Sequence, residues 1–141
     1  MKDPKTLITV TTTVQAPLER VWDRWTRPEH ITAWNFASPE WCCPQATNDL
    51  RPNGKFSWRM EARDGSMGFD FNGIFNKIEE RKLIAYSIED GRNVVIQFEE
   101  TEAGTIVSET FEAENMNSIE LQRTGWQAIL DNFKRYAESN Q

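Results

Sequence analysis

Glu109 is the residue that most invites a chemical reading. In the segment Thr105 to Phe111 it alternates onto one face with Thr105, Val107 and Phe111. A carboxylate on an inward face would lose solvation, and its pKa would rise unless a cation paired with it. A proton-transfer group working near neutral pH needs that property, and Tyr86 is the candidate hydroxyl partner. Two alternatives stand beside this reading: a β-bulge that turns Glu109 outward, or a salt bridge with an arginine. Glu61 differs, because alternation puts it with Arg59 and Arg63, opposite Trp58 and Met60.

The other reactive side chains offer less. His30 is the single histidine, and nucleophilic catalysis through it would require a serine or cysteine to meet it. Its place beside Pro28, at a helix start, suits a half-exposed side chain. Cys42 and Cys43 are adjacent, which is neither redox C-x-x-C spacing nor a comfortable disulfide. One histidine and two neighbouring thiols make no metal-ligand set of usual spacing. No Walker-type or Rossmann glycine motif occurs. Neither a metal nor a cofactor is expected.

Aromatic residues are the second resource. Trp58, Phe69, Phe71, Phe75, Phe98, Trp126 and Phe133 are candidates to line a cavity, joined by Trp34, Met60 and Ile129, with Glu109 among them. Aromatic stripes also build solid cores, but six Trp and eight Phe are many for 141 residues. Gly125 interrupts a helical pattern at a cost of about 1 kcal/mol relative to Ala. A small residue there would let helix and sheet approach at one point without filling the interior.

The elements that must position these residues can be read in order. Thr6 to Val14 alternates, with Ile8, Val10, Thr12 and Val14 on one face, as a strand does. Pro17 opens a short helix with Leu18, Val21, Trp22 and Trp25 as its apolar face, and Pro28 ends it and opens a second, with Ile31 and Trp34 inward. Asn35 to Thr47 reads as irregular, with room for a short strand near Pro44 to Asp49. Arg51-Pro52-Asn53-Gly54 is a turn with Gly54 at the positive-φ position. Strands follow over Lys55 to Arg63, through Phe69 to Phe75, over Leu83 to Ile88, through Val94 to Phe98 and over Thr105 to Glu112. They are punctuated by Asp64-Gly65, Asp90-Gly91 and Glu102-Ala103-Gly104. Gly73 reads as a bulge or bend. Asn117 to Gln141 closes the chain as one amphipathic helix capped by Asn117. Its inner face is Ile119, Gln122, Trp126, Ile129, Leu130, Phe133 and Ala137. The expected fold is α+β: a curved antiparallel sheet, two short helices after its first strand, and a long last helix across the concave side.

Length and charge set the outer bounds. At 141 residues, residues 1–141 form a single domain with a core of its own. Nothing approaches the apolar length of a membrane span, and Met1 to Lys5 leads into no apolar signal region. The net charge of −6, with lysines and arginines scattered, argues against a nucleic-acid partner. Two free thiols fit a reducing, cytoplasmic setting.

Several local patterns together resemble the helix-grip fold of the START and birch-pollen-allergen superfamily, and within it the homologues of the 90-kDa heat-shock-protein ATPase activator. They are Ala16-Pro17-x-x-x-Val21-Trp22, Pro28-Glu29-His30-x-x-x-Trp34, and Asp49 through Phe56. Gly65-Ser66 through Gly73 and Gly125-Trp126-x-x-x-Leu130-Asp131-Asn132-Phe133 complete the set, so the likeness runs from about residue 7 to residue 138. Where the family commonly has a first glycine in the turn before the central strand, this chain has Asn53, which tolerates a left-handed backbone. The resemblance places the Glu109 face inward. It also implies an apolar small-molecule ligand, such as a lipid, sterol, polyketide or quinone-like compound, held between sheet and last helix. The eukaryotic activators engage the chaperone through a separate N-terminal domain with no counterpart in these 141 residues. Chaperone interaction or a stress-response role is therefore the weaker implication. A cyclase- or hydrolase-like enzyme using Glu109 and Tyr86 is the catalytic alternative.

Overall fold

In the computed structural model, which describes residues 6–139, the alternating segments build one curved antiparallel sheet. The first strand, β1 (Leu7–Val14), leads into α1 (Leu18–Thr26) and α2 (Pro28–Trp34). The chain continues through β2 (Trp41–Asn48), β3 (Lys55–Ala62), β4 (Gly68–Glu79), β5 (Leu83–Ile88), β6 (Asn93–Thr101) and β7 (Gly104–Glu112). It ends in α3 (Ile119–Ser139). The strand order is β1-β7-β6-β5-β4-β3-β2. Hairpins carry the chain from β2 to β7, and β1 closes beside β7 with Val10 opposite Glu109. This is the expected α+β helix-grip architecture.

Period-two burial explains the sheet. Ile8, Val10 and Val14 turn inward from β1, Ile84, Tyr86 and Ile88 from β5, and Val94, Ile96 and Phe98 from β6. Over one end of this concave face lie α1 and α2, burying Val21, Trp22, Trp25, Ile31 and Trp34. Pro28 occupies the first turn of α2, where its missing N–H costs nothing.

Several local expectations need correction. Ser118, not Asn117, caps α3: the Leu121 N–H donates to Ser118 Oγ at 3.1 Å. Asn117 is held in the preceding turn, its N–H on Glu114 and its carbonyl accepting from Gln122. Ile119, expected on the inner face of α3, is exposed, because that face begins only at Gln122. Asn140 and Gln141, the expected end of the helix, lie outside the described residues.

The segment from Trp41, read as largely irregular, is an edge strand paired with β3, and its register slips between Cys42 and Gln45. Pro44 sits in that slip, where a residue without an N–H is tolerated. In the turn before β3 the left-handed residue is Asn53, at φ 70°, rather than Gly54. Gly54 is needed for space, since a Cβ there would lie 1.9 Å from the Asp49 carbonyl oxygen. Gly73 makes no bulge. It stays in register opposite Phe56, whose ring covers it, and the slip in β4 falls between Phe75 and Lys77.

Candidate functional site

The backbone of α3 runs closest to β1, with α1 and α2 beside it, and stands off from the middle of the sheet. Between them lies a pocket of about 650 Å³. On the sheet side, β3 and β4 supply paired residues, Trp58 opposite Phe71 and Met60 opposite Phe69. The Trp58 and Phe71 rings are parallel, 5.6 Å apart at 3°. Trp126 stacks on Phe111 at 3.9 Å and meets Phe71 edge-on at 6.4 Å. That stack props α3 above β7. Ile129 continues the helix side of the wall and Trp34 stands at its α2 end.

Gly125 also faces the pocket, and a Cβ built there would meet nothing within 4 Å. The expected close approach of helix and sheet at this residue does not occur, because the neighbouring Trp126–Phe111 stack holds them apart. The missing side chain adds to the open space instead.

Three residues expected in the lining stand elsewhere. Phe98 packs edge-on against Trp22 and Trp25, with centroids 5.2 and 6.0 Å away. Phe133 is wedged between Trp25 and Trp34 at 4.8 and 4.9 Å. Phe75 lies beside Phe56 at 5.1 Å. Phe98, on β6, shares the concave face with the pocket and Phe133 projects from α3, but the tryptophans of α1 and α2 enclose both.

Glu109 stands in the pocket wall and is 6% exposed. It stays in register between Val10 and Ile96, so no bulge turns it outward. Among the described residues its carboxyl has no hydrogen-bond or ion-pair partner, and burial pushes its pKa up to about 8. Tyr86 shares the wall. Burial first, then the nearby Glu109 charge, raises its phenol well above the ordinary value, and its hydroxyl likewise has no hydrogen bond among the described residues.

At the mouth the character changes. Asp70, Glu89, Asp90 and Glu114 gather there with Arg92, whose Nε lies 2.8 Å from Asp90. Sequence reasoning passed over this rim, treating Asp90-Gly91 only as a hairpin. It also passed over Leu121, which lines the pocket and remains 59% exposed. Leu121 sits four residues before Gly125, hence on the same helical face, and that spacing was the available signal.

The remaining candidates lie away from the pocket. His30 joins α2 to α3 through Tyr136, with its Nε2 3.5 Å from Asp23 Oδ2. Burial and the Arg24 charge lower its pKa. Cys42 and Cys43 are free thiols, and burial raises Cys43 to about 11, which leaves it a poor nucleophile. Among the described residues no three His, Cys, Asp or Glu side chains gather as a metal site. No described helix is long and apolar enough to cross a membrane.

A curved seven-stranded sheet gripping one long helix over an unfilled interior defines a helix-grip domain. More narrowly, the chain belongs to the family described as activator of Hsp90 ATPase homolog 1-like protein, whose sequence model matches residues 15–138. Similar solved structures include the AHSA1-like protein from Aeromonas hydrophila, 41% identical with a TM-score of 0.90, covering 95% of this chain and 93% of that one. A protein from Cytophaga hutchinsonii is 50% identical with a TM-score of 0.81, covering 94% of this chain and 92% of that one. A protein from Nitrosomonas europaea, 20% identical with a TM-score of 0.81 over 94% of each chain, shares the fold. No protein of curated function matches the chain.

Proposed function

We propose that the chain acts as a single helix-grip domain that binds an apolar small molecule, lipid-, polyketide- or quinone-like, in the pocket between sheet and α3. The observation that carries this reading is the unfilled volume of about 650 Å³ walled by Trp58, Phe71 and Trp126. Pockets of 300–1,000 Å³ with apolar walls and a few polar groups are the usual form of small-molecule sites. A helix placed only for stability would sink until side chains met, since interiors are close-packed. Here Gly125 leaves space where any larger residue would occupy it. Two adjacent free cysteines suit a reducing compartment, and we place the protein in the cytoplasm on that ground.

A second reading, a proton-transfer enzyme of the cyclase or hydrolase kind, is favoured by one observation: Glu109 in the wall has no ion-pair partner among the described residues, with a pKa raised to about 8. Such a group can take or give a proton near neutral pH. Native mass spectrometry of protein purified from its own cells tests the binding reading. A reproducible adduct that dissociates on unfolding supports it. Protein of bare chain mass, together with no stabilisation by a broad panel of apolar compounds, would leave the pocket without a role.

A further inference from the structure

Two ionisable groups are buried in the pocket wall, Glu109 and Tyr86. Tyr86 pairs with Val94 and Glu109 with Ile96, so the single strand β6 separates them, one pleat apart on the same concave face. Both side chains line the pocket, and neither oxygen-bearing group has a hydrogen-bond partner among the described residues. Buried polar groups are ordinarily satisfied, so two left open toward one cavity from strands on either side of β6 point to what belongs there. We propose that Glu109 and Tyr86 form a two-donor clamp for the carbonyl oxygen of an uncharged, largely apolar ligand. This deepens the binding reading above and rests on it.

The chemistry of both groups fits donors. A phenol of raised pKa keeps its proton, and a carboxyl that titrates at about 8 presents O–H at neutral pH. An acceptor between them gains two hydrogen bonds in a medium where such bonds are strong. The flanking Trp58 and Phe71 rings offer flat apolar surface beside Tyr86, with Trp58 5.9 Å from the Tyr86 ring. The mouth argues against an anionic ligand. Asp70, Glu89, Asp90 and Glu114 outnumber Arg92, whose guanidinium is already paired with Asp90. A ketone or quinone therefore suits the pocket better than a bare hydrocarbon or a fatty-acid anion.

The experiment compares 9-fluorenone with fluorene, which share a tricyclic skeleton and differ by C=O against CH₂. Equilibrium dialysis at pH 7 gives both dissociation constants for wild type, Tyr86→Phe, Glu109→Leu and the double variant. Wild type should hold fluorenone about tenfold tighter or more, as expected of a site whose donors are otherwise unmet. Each single substitution should shrink that ratio and the double variant should bring it near one, with fluorene affinity little changed. Equal binding of the two compounds by wild type would overturn the clamp while leaving the pocket as an apolar binding site. A ratio that survives in a folded Tyr86→Phe variant, whose ring is intact, would overturn Tyr86 as a donor even if the Leu variant does not fold. Failure of wild type to bind either compound would count against both the clamp and the pocket reading.

Discussion

The two ends of the concave face are made of the same materials and have been finished differently. At one end Trp22, Trp25, Trp34, Phe98 and Phe133 interlock edge to face beneath α1 and α2. At the other, Trp58, Phe71 and Trp126 surround open space, and a carboxyl and a phenol sit among them without hydrogen-bond partners among the described residues. Aromatic content does not separate the two. The roof does: two extra helices close the first end, while the second has only α3, propped on Phe111 and bearing a glycine where a side chain would reach inward. A solid end holds the fold, so that a hollow end can be tolerated.

The largest effects should come from emptying the solid end. Phe133→Ala should cost about 3–5 kcal/mol in urea unfolding, because it leaves a cavity among packed rings. Phe71→Ala should cost less than half of that, since Phe71 already faces space. Equal losses would erase the distinction.

Next comes the Glu109 carboxyl. Its folded pKa of about 8 lies above the ordinary 4.5, so the native state binds the proton more tightly than the unfolded chain. The stability this contributes is complete below pH 4.5 and is lost as pH rises toward and through 8, by a few kcal/mol. Glu109→Gln should remove that slope, and Glu109→Leu should be at least as stable as wild type at pH 9, having no charge to bury. Parallel stability–pH curves for wild type and Glu109→Gln would mean the carboxyl is solvated.

A ligand should strengthen the fold through the hollow end only. At a free concentration of about 100 times its dissociation constant, a neutral apolar ligand should add roughly 2.7 kcal/mol. In Gly125→Phe, whose ring would occupy the pocket, the same ligand should add nothing although the protein remains folded. The smallest effect belongs to Gly125→Ala, which should stabilise α3 by about 0.8–1 kcal/mol and leave binding in place. A loss of stability there would mean that the helix and sheet meet at Gly125 after all.

Much of this was legible beforehand, and the gaps have physical causes. Period-two alternation in strands such as Lys55–Ala62, and the three-and-four spacing in α3, report which face is apolar. They do not report what lies above that face. Phe98 and Phe133 therefore looked like lining until α1 and α2 were seen over them. Glu109 was legible as an oddity on an apolar face, but its lack of a partner among the described residues depends on where the arginines go. Arg92, for one, turns to Asp90. Gly125 was noticed for its helix cost, and only the Trp126–Phe111 stack decides that it faces open space rather than the sheet. The edge strand from Trp41 was obscured by Pro44, which breaks the pattern just where the register slips.

The central claim, that one end is solid and the other receives an apolar molecule, can be read directly from the tryptophan indole N–H signals in a ¹⁵N-labelled sample. Trp22 reports the solid end, and Trp58 and Trp126 report the hollow one. Titration with a neutral apolar compound should shift Trp58 and Trp126 in a saturable way and leave Trp22 unmoved. The same titration of Gly125→Phe should move none of them. Saturable shifts at Trp22 with Trp58 and Trp126 unchanged, or the full set of wild-type shifts persisting in Gly125→Phe, would contradict it.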